Sequence, residues 1–231
     1  MLPCDENTVD VKHQIKDTES VVFDGAEKSG PRVMFVGNSI TNHCPSEKLG
    51  WSGSWGMSAS CQEKDYVHCC MAEIRKLAPD AAFSICKAGA WELNYLSGTQ
   101  EFYRYDAASA FGADFIVMRA VENCAKASYD KESFTQQYAA LIDHLNSSGK
   151  ATVILTTSFW GHPADEAIRS LAKERGYPLC ELSDLGKLPE MKAYGLFEHP
   201  GVAAHPGDLG MKTIANRICA ALCPILKDKF C

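Results

Sequence analysis

Four short stretches of this chain hold residue types that could carry acyl-transfer chemistry. In "VMFVGNSIT" (33–41) four apolar residues meet an abrupt Gly37-Asn38-Ser39, and "KAGAWE" (87–92) and "VMRAVEN" (117–123) each run from an apolar segment into polar residues. The fourth, "HPGVAAHPGDLGM" (199–211), places His199 and His205 in a Gly/Pro-rich loop. A serine hydroxyl is a weak nucleophile until a base takes its proton, and histidine is the side chain suited to that task near neutral pH. Ser39 and His205 would form such a pair, with His205 later returning the proton to a leaving alcohol. The tetrahedral oxyanion needs preorganised donors, which the Ser39 and Gly89 N–H groups and the Asn123 amide could supply. Singly, each has a plainer reading: Ser39 or Asn123 as a helix cap, Gly89 as the close of a turn. Their joint placement favours a site.

That placement depends on the elements around them. Five short apolar segments read as buried strands, at 32–37, 81–86, 114–119, 152–157 and 178–182. Helical spacing of apolar residues marks 61–78 and 130–149, the latter with Gly149 as its stop signal, then 163–176 and a last helix from Asp208. Strands alternating with helices imply a parallel sheet between helix layers, joined by right-handed crossovers. Ligands of such sheets bind outside the carboxyl ends of the strands, where Ser39, Gly89 and Asn123 fall. Residues 1–31 read as an arm or edge segment and 32–231 as one domain.

With "FVGNSIT", "KAGAWE", "VMRAVEN" and "HPGDLGM" in this order, the chain resembles the SGNH hydrolases, the GDSL-type esterases and lipases, over about residues 32 to 220. The four name-giving positions fall at Ser39, Gly89, Asn123 and His205. The resemblance implies a flavodoxin-like three-layer α/β/α sandwich, here with a five-stranded parallel sheet, and hydrolysis of small esters without a cofactor. Two departures stand out. The serine block reads Gly-Asn-Ser rather than Gly-Asp-Ser, and the family's usual Asp three residues before the histidine is replaced by Val202. Another group must then hold the His205 Nδ1 proton: a backbone carbonyl of the "GVAA" turn is favoured, with Glu122, Glu198 and Asp208 as carboxylate alternatives.

"LGWSGSWGMSAS" (49–60) sets Trp51 and Trp55 among small residues after the serine block, while Trp91 follows the Gly89 block and Trp160 the fourth strand. Aromatic faces at one sheet edge suit stacking on sugar rings, with core packing as the plainer alternative. Arg119 reads equally as a substrate contact or as half of a buried ion pair with Glu122. The expected function is a serine esterase removing acetyl-type groups from a carbohydrate or similar small alcohol. Alternatives are a thioesterase or lipid deacylase of the same fold and a non-catalytic carbohydrate-binding relative.

Composition narrows the partners. A formal charge of −6 without a Lys/Arg run argues against nucleic acid, and the loop after the first strand lacks a glycine-rich phosphate signature. No apolar segment approaches a membrane span, and the N-terminal residues lack a signal-peptide pattern, so a cytoplasmic protein, monomeric or homodimeric, is expected. The 11 cysteines include no CxxC pair, and His199 and His205 lack a recognised metal-ligand spacing. Reduced thiols acting as small core hydrophobes, and no metal, are the expectation.

Overall fold

The computed structural model describes residues 21–97 and 101–230. Six strands form one sheet: β1 (Val21–Asp24), β2 (Arg32–Gly37), β3 (Ala82–Lys87), β4 (Phe115–Arg119), β5 (Thr152–Thr156) and β6 (Leu179–Cys180). Their spatial order is β1-β3-β2-β4-β5-β6. The five expected strands are present and parallel, with β6 cut to two residues. The sheet is larger than expected by β1, which pairs antiparallel with β3 and lies within the segment assigned to the arm. The rest of that arm, residues 1–20, lies outside the described residues.

The helices are α1 (Tyr66–Leu77), α2 (Gly89–Asn94), α3 (Asp106–Ala110), α4 (Lys131–Leu145), α5 (Asp165–Arg175), α6 (Pro200–Ala203) and α7 (Asp208–Phe230). Successive residues of a strand point to opposite faces, and here both faces are apolar because both are covered. On β2, Val33 and Phe35 pack with α1 and α7, while Met34 and Val36 pack with α2 to α5. β4 repeats the pattern, Phe115 and Val117 on one side, Ile116 and Met118 on the other. That double burial is why the strands read as continuous apolar runs. Two helix starts are capped by aspartates: the Asp65 side chain accepts from His68 N, and Asp130 from Ser133 N. α4 stops at Leu145, earlier than Gly149 suggested, because Asn146 leaves helical geometry first and Gly149 serves the following turn at φ +68°.

Among the described residues, eight cysteines are free thiols. Cys44 is disulfide-bonded, which corrects the expectation that all are reduced; a cysteine between His43 and Pro45, far in sequence from any other, carries no spacing from which pairing could be read.

The chain leaves β2 for β3 on one side and then crosses to β4 on the other. β2 is therefore the topological switch point, and a crevice opens beyond its carboxyl end. Gly37 stands level with Lys87 of β3 and Arg119 of β4, so all three strands deliver their next residues to that crevice.

Candidate active site

Gly37 ends β2 because nothing larger fits: a Cβ there would lie 2.0 Å from Thr41 Oγ1 and 2.9 Å from the Arg119 carbonyl oxygen. The chain then turns sharply. Asn38 Oδ1 accepts from Ile40 N at 3.2 Å, an Asx turn, and Asn38 O accepts from Thr41 N at 2.9 Å. No helix follows directly, so Ser39 is not a helix cap; it is held, half-buried, at the tip of the turn. The Ser39 carbonyl accepts from Met57 N at 2.9 Å, which ties the tip to the tryptophan-bearing loop.

His205 arrives from the opposite end of the chain. Its Nε2 is 2.8 Å from Ser39 Oγ, and its Nδ1 is 2.7 Å from the Gly201 carbonyl oxygen. Since the carbonyl can only accept, Nδ1 carries the proton and the Nε2 lone pair faces the serine. Burial lowers the His205 pKa to about 4, despite the opposing pull of the Gly201 carbonyl, so the ring is neutral at physiological pH. The loop carrying it is pinned on several sides. His199 Nδ1 accepts from Val202 N at the start of α6, and the His205 carbonyl accepts from Ala193 N at 3.0 Å. Ser58 Oγ donates to the Val202 carbonyl at 2.6 Å. Ser58 is the one non-glycine residue with positive φ (76°) among the described residues, backbone strain tolerated where it aims that hydroxyl.

The three carboxylates considered as partners of His205 are engaged elsewhere or exposed. Asp208 accepts from Ser60 N and Oγ and pairs with Lys64 Nζ, each at 2.8 Å. Glu122 pairs with Arg119 and accepts from Phe159 N at 3.0 Å. Glu198 is exposed. Val202 fills the usual Asp position as an apolar plug, 1% exposed, against Trp51 and Met57.

Asn38 and Asn123 are joined by a residue that the sequence reading passed over. Glu92, on α2, is fully buried. Its Oε1 accepts from Asn38 Nδ2 at 2.8 Å and its Oε2 from Asn123 Nδ2 at 2.5 Å. Asn38 Nδ2 also donates to Glu122 Oε2 at 2.5 Å, and Arg119 Nη1 donates to Asn38 Oδ1 at 3.3 Å. Burial, with Glu122 beside it, pushes Glu92 up to about 8, so it keeps its proton at neutral pH. Gly89 opens α2, and the first N–H groups of a helix have no intrahelical acceptor. A Cβ built on Gly89 meets nothing within 4 Å, so this end of α2 faces open space.

Several residues considered for substrate contact belong to the core. Arg119 is wholly buried in its ion pair with Glu122 and cannot reach a ligand in the crevice. Trp51 (5% exposed) packs on Trp55, Phe197, Met57 and Val202. Trp91 (2%) packs among Tyr95, Phe134 and Tyr138. Glycine and serine neighbours suggested open loops, but the large apolar indoles fill the space those small residues leave. Trp55 is half-buried and donates to the Ala59 carbonyl. Trp160 alone reaches the dyad: its ring meets the His205 imidazole edge-on, centroids 5.1 Å apart, and Nε1 donates to the Ala204 carbonyl at 3.0 Å.

Switch-point crevice, serine turn, late histidine loop and the Gly89 and Asn123 elements together define an SGNH-hydrolase fold, and solved structures agree. One similar structure is a two-domain esterase active on acetylated mannans, 17% identical with TM-score 0.56, where 87% of this chain is matched. The match spans 52% of that longer chain, so this chain corresponds to about half of it. Others are an acetyl xylan esterase (19% identity, TM-score 0.50, 83% of this chain and 99% of that one) and a G-D-S-L family lipolytic protein from Veillonella parvula (15%, 0.50, 84% and 99%). No family model matches the sequence, and no curated protein matches it. At these identities the likeness concerns the fold.

Proposed function

We propose that this protein is a serine esterase that hydrolyses short-chain, acetyl-type esters of a carbohydrate or similar small alcohol through an acyl-enzyme at Ser39. The observation carrying the reading is the ordered pair of contacts at His205, Nδ1 on the Gly201 carbonyl and Nε2 on Ser39 Oγ. A histidine fixed in that tautomer is a base aimed at one hydroxyl.

Ser39 Oγ attacks the ester carbonyl carbon while its proton passes to His205 Nε2. The oxyanion is received by the Ser39 and Gly89 N–H groups and the Asn123 amide. As the tetrahedral intermediate collapses, His205 gives its proton to the departing alkoxide, leaving Ser39 acylated. Water then attacks the acyl carbon, His205 takes the water's proton, and collapse returns that proton to Ser39 as the carboxylic acid leaves. The Gly201 carbonyl steadies the transient imidazolium without carrying a charge itself.

The mannan and xylan esterases among the structural neighbours support an acetylated sugar as substrate. Trp160, half-buried beside His205, is the aromatic face placed to meet its ring. The test is turnover of p-nitrophenyl acetate, butyrate and octanoate, then acetylated xylan and mannan, by wild type, Ser39→Ala and His205→Ala. Acetate preferred over octanoate, with turnover abolished in both variants, is expected. Octanoate preference would favour a lipid deacylase, and equal idleness of wild type and Ser39→Ala would defeat the esterase reading.

A further inference from the structure

Glu92 is chemically conspicuous and takes no step in the mechanism above. It is a carboxyl group with no solvent contact, under a crevice where negative charge would develop. A buried ionisable group is tolerated when its hydrogen bonds are made and its charge is neutralised or suppressed. Here both oxygens are used, and both partners border the candidate site: Asn38 directly precedes the nucleophile, and Asn123 is one of the oxyanion donors. Glu92 itself sits on α2, whose first residue is Gly89. One carboxyl group therefore spans the three chain segments that must agree in position to about half an ångström for catalysis.

We propose that Glu92 is the positioning residue of the oxyanion hole, its buried carboxyl fixing the Asn123 amide and the Asn38 turn relative to the start of α2. The proposal rests on the esterase reading. Each Asn123 Nδ2 hydrogen has its own use: one is held by Glu92 Oε2, and the other is left to point at the substrate oxygen. The protonation state matters as much as the geometry. An ionised Glu92 would place a full negative charge behind the donors and oppose the oxyanion they receive, whereas the neutral acid does not. The groups facing Glu92 keep it neutral. Glu122 and Arg119 come from the end of β4 and the loop after it and form an ion pair with each other. Tyr138 of α4, Tyr105 before α3 and Cys124 of the Asn123 loop also interact with it, and burial pushes all three above their ordinary values, so they stay neutral and bring no charge to it. Arg119, the cation that acts on it, is already paired with Glu122.

The experiment uses wild type, Glu92→Gln and Glu92→Ala on p-nitrophenyl acetate across pH, alongside 15N–1H spectra of the Asn side-chain amides. Gln keeps the shape but can accept through only one atom, so kcat is expected to fall about tenfold, and about a hundredfold in Ala, with KM within about threefold of wild type. Wild-type kcat should decline as pH rises through about 8, and that alkaline limb should vanish in Glu92→Gln. In the spectra the Asn38 and Asn123 amide signals should move together over the same range in wild type and stay still in Glu92→Gln. A purely structural glutamate would change melting temperature without moving the pH profile or splitting kcat from KM. If Glu92→Ala fails to fold, Glu92→Gln alone decides the question. Active wild type matched by Glu92→Gln in kcat and pH profile would overturn the inference alone. Amides that titrate together in a protein that turns over no ester would sink the esterase reading and uphold the hold of Glu92 on the two amides.

Discussion

Val202→Asp restores the carboxylate that SGNH hydrolases usually carry three residues before the histidine, and the structure predicts that it harms the protein rather than improving it. Val202 is 1% exposed and wedged against Trp51 and Met57. Losing its buried side chain costs about 1.5–3 kcal/mol. The new carboxyl group meets an apolar wall, and the His205 Nδ1 proton is already given to the Gly201 carbonyl at 2.7 Å. It would be buried protonated, against an ordinary pKa near 3.9, which at pH 7 costs about three pH units, or roughly 4 kcal/mol. The combined loss is about 6 kcal/mol at pH 7, comparable to the whole stability of many domains. Because the folded-state pKa is raised, the penalty grows as pH rises from about 3.9; at pH 5 the protonation part shrinks to about 1.5 kcal/mol. Urea unfolding at pH 5 and pH 7 measures that difference, and p-nitrophenyl acetate turnover at pH 5 shows the effect on the dyad. A variant as stable as wild type at pH 7 and at least tenfold faster would refute the reasoning, because its carboxylate would have displaced a carbonyl that was holding the ring poorly.

Other outcomes follow from the same geometry. With the His205 pKa lowered to about 4, kcat/KM should hold steady down to mildly acidic pH and be lost as pH falls through about 4; a limb near 6.5 would show a ring less buried than described. Asn38→Asp, which recreates the Gly-Asp-Ser block, removes both donors to Glu92 and Glu122 and adds a third carboxylate, so it should destabilise by at least about 3 kcal/mol on chemical denaturation. Trp51→Ala should cost about 3–5 kcal/mol of stability, while Trp160→Ala should change kcat or KM on acetylated sugars at a smaller stability cost, as melting curves and kinetics would separate. Ser58→Ala should lose about 1–2 kcal/mol and slow turnover by loosening the histidine loop, read by the same two assays.

The sheet was legible because its strands are buried on both faces. Val33 to Val36 must all be apolar, and a run of that kind ending in Gly37-Asn38-Ser39 marks both a central strand and its carboxyl end. β1 escaped notice because an edge strand of four residues, with Val22 and Asp24 exposed, makes few of the demands that shape a central strand. Ser39 and His205 were legible for a different reason: each stands at a turn or in a loop flanked by small residues or proline, where a side chain is displayed rather than packed. Trp51 was misjudged by the same logic, since glycine and serine neighbours read as an open loop when they are also what makes room for a buried indole. A Cβ on Gly53 would lie 2.5 Å from the Trp51 ring and 2.7 Å from that of Trp55.

What sequence could not show is the support behind the displayed residues. A backbone carbonyl of the "GVAA" turn was the favoured partner of His205 Nδ1 once Val202 stood at the usual Asp position, and the Gly201 carbonyl takes that place; which of the four carbonyls it would be had no mark in the sequence, because every residue has one. Glu92 is hidden by the opposite ambiguity. A glutamate in a short helix reads as part of a solvated face, and it is buried only because loops 54 residues before it and 31 residues after it bring Asn38 and Asn123 onto its two oxygens. The two departures from the SGNH pattern then acquire one physical account. Where the usual aspartate would precede the nucleophile, an asparagine must donate to two carboxyl groups. Where the usual aspartate would orient the histidine, a carbonyl does so from a loop plugged by Val202. Both exchanges remove a negative charge from a crevice that lies over the Arg119–Glu122 ion pair and the buried Glu92, and in which, on the proposed mechanism, an oxyanion forms.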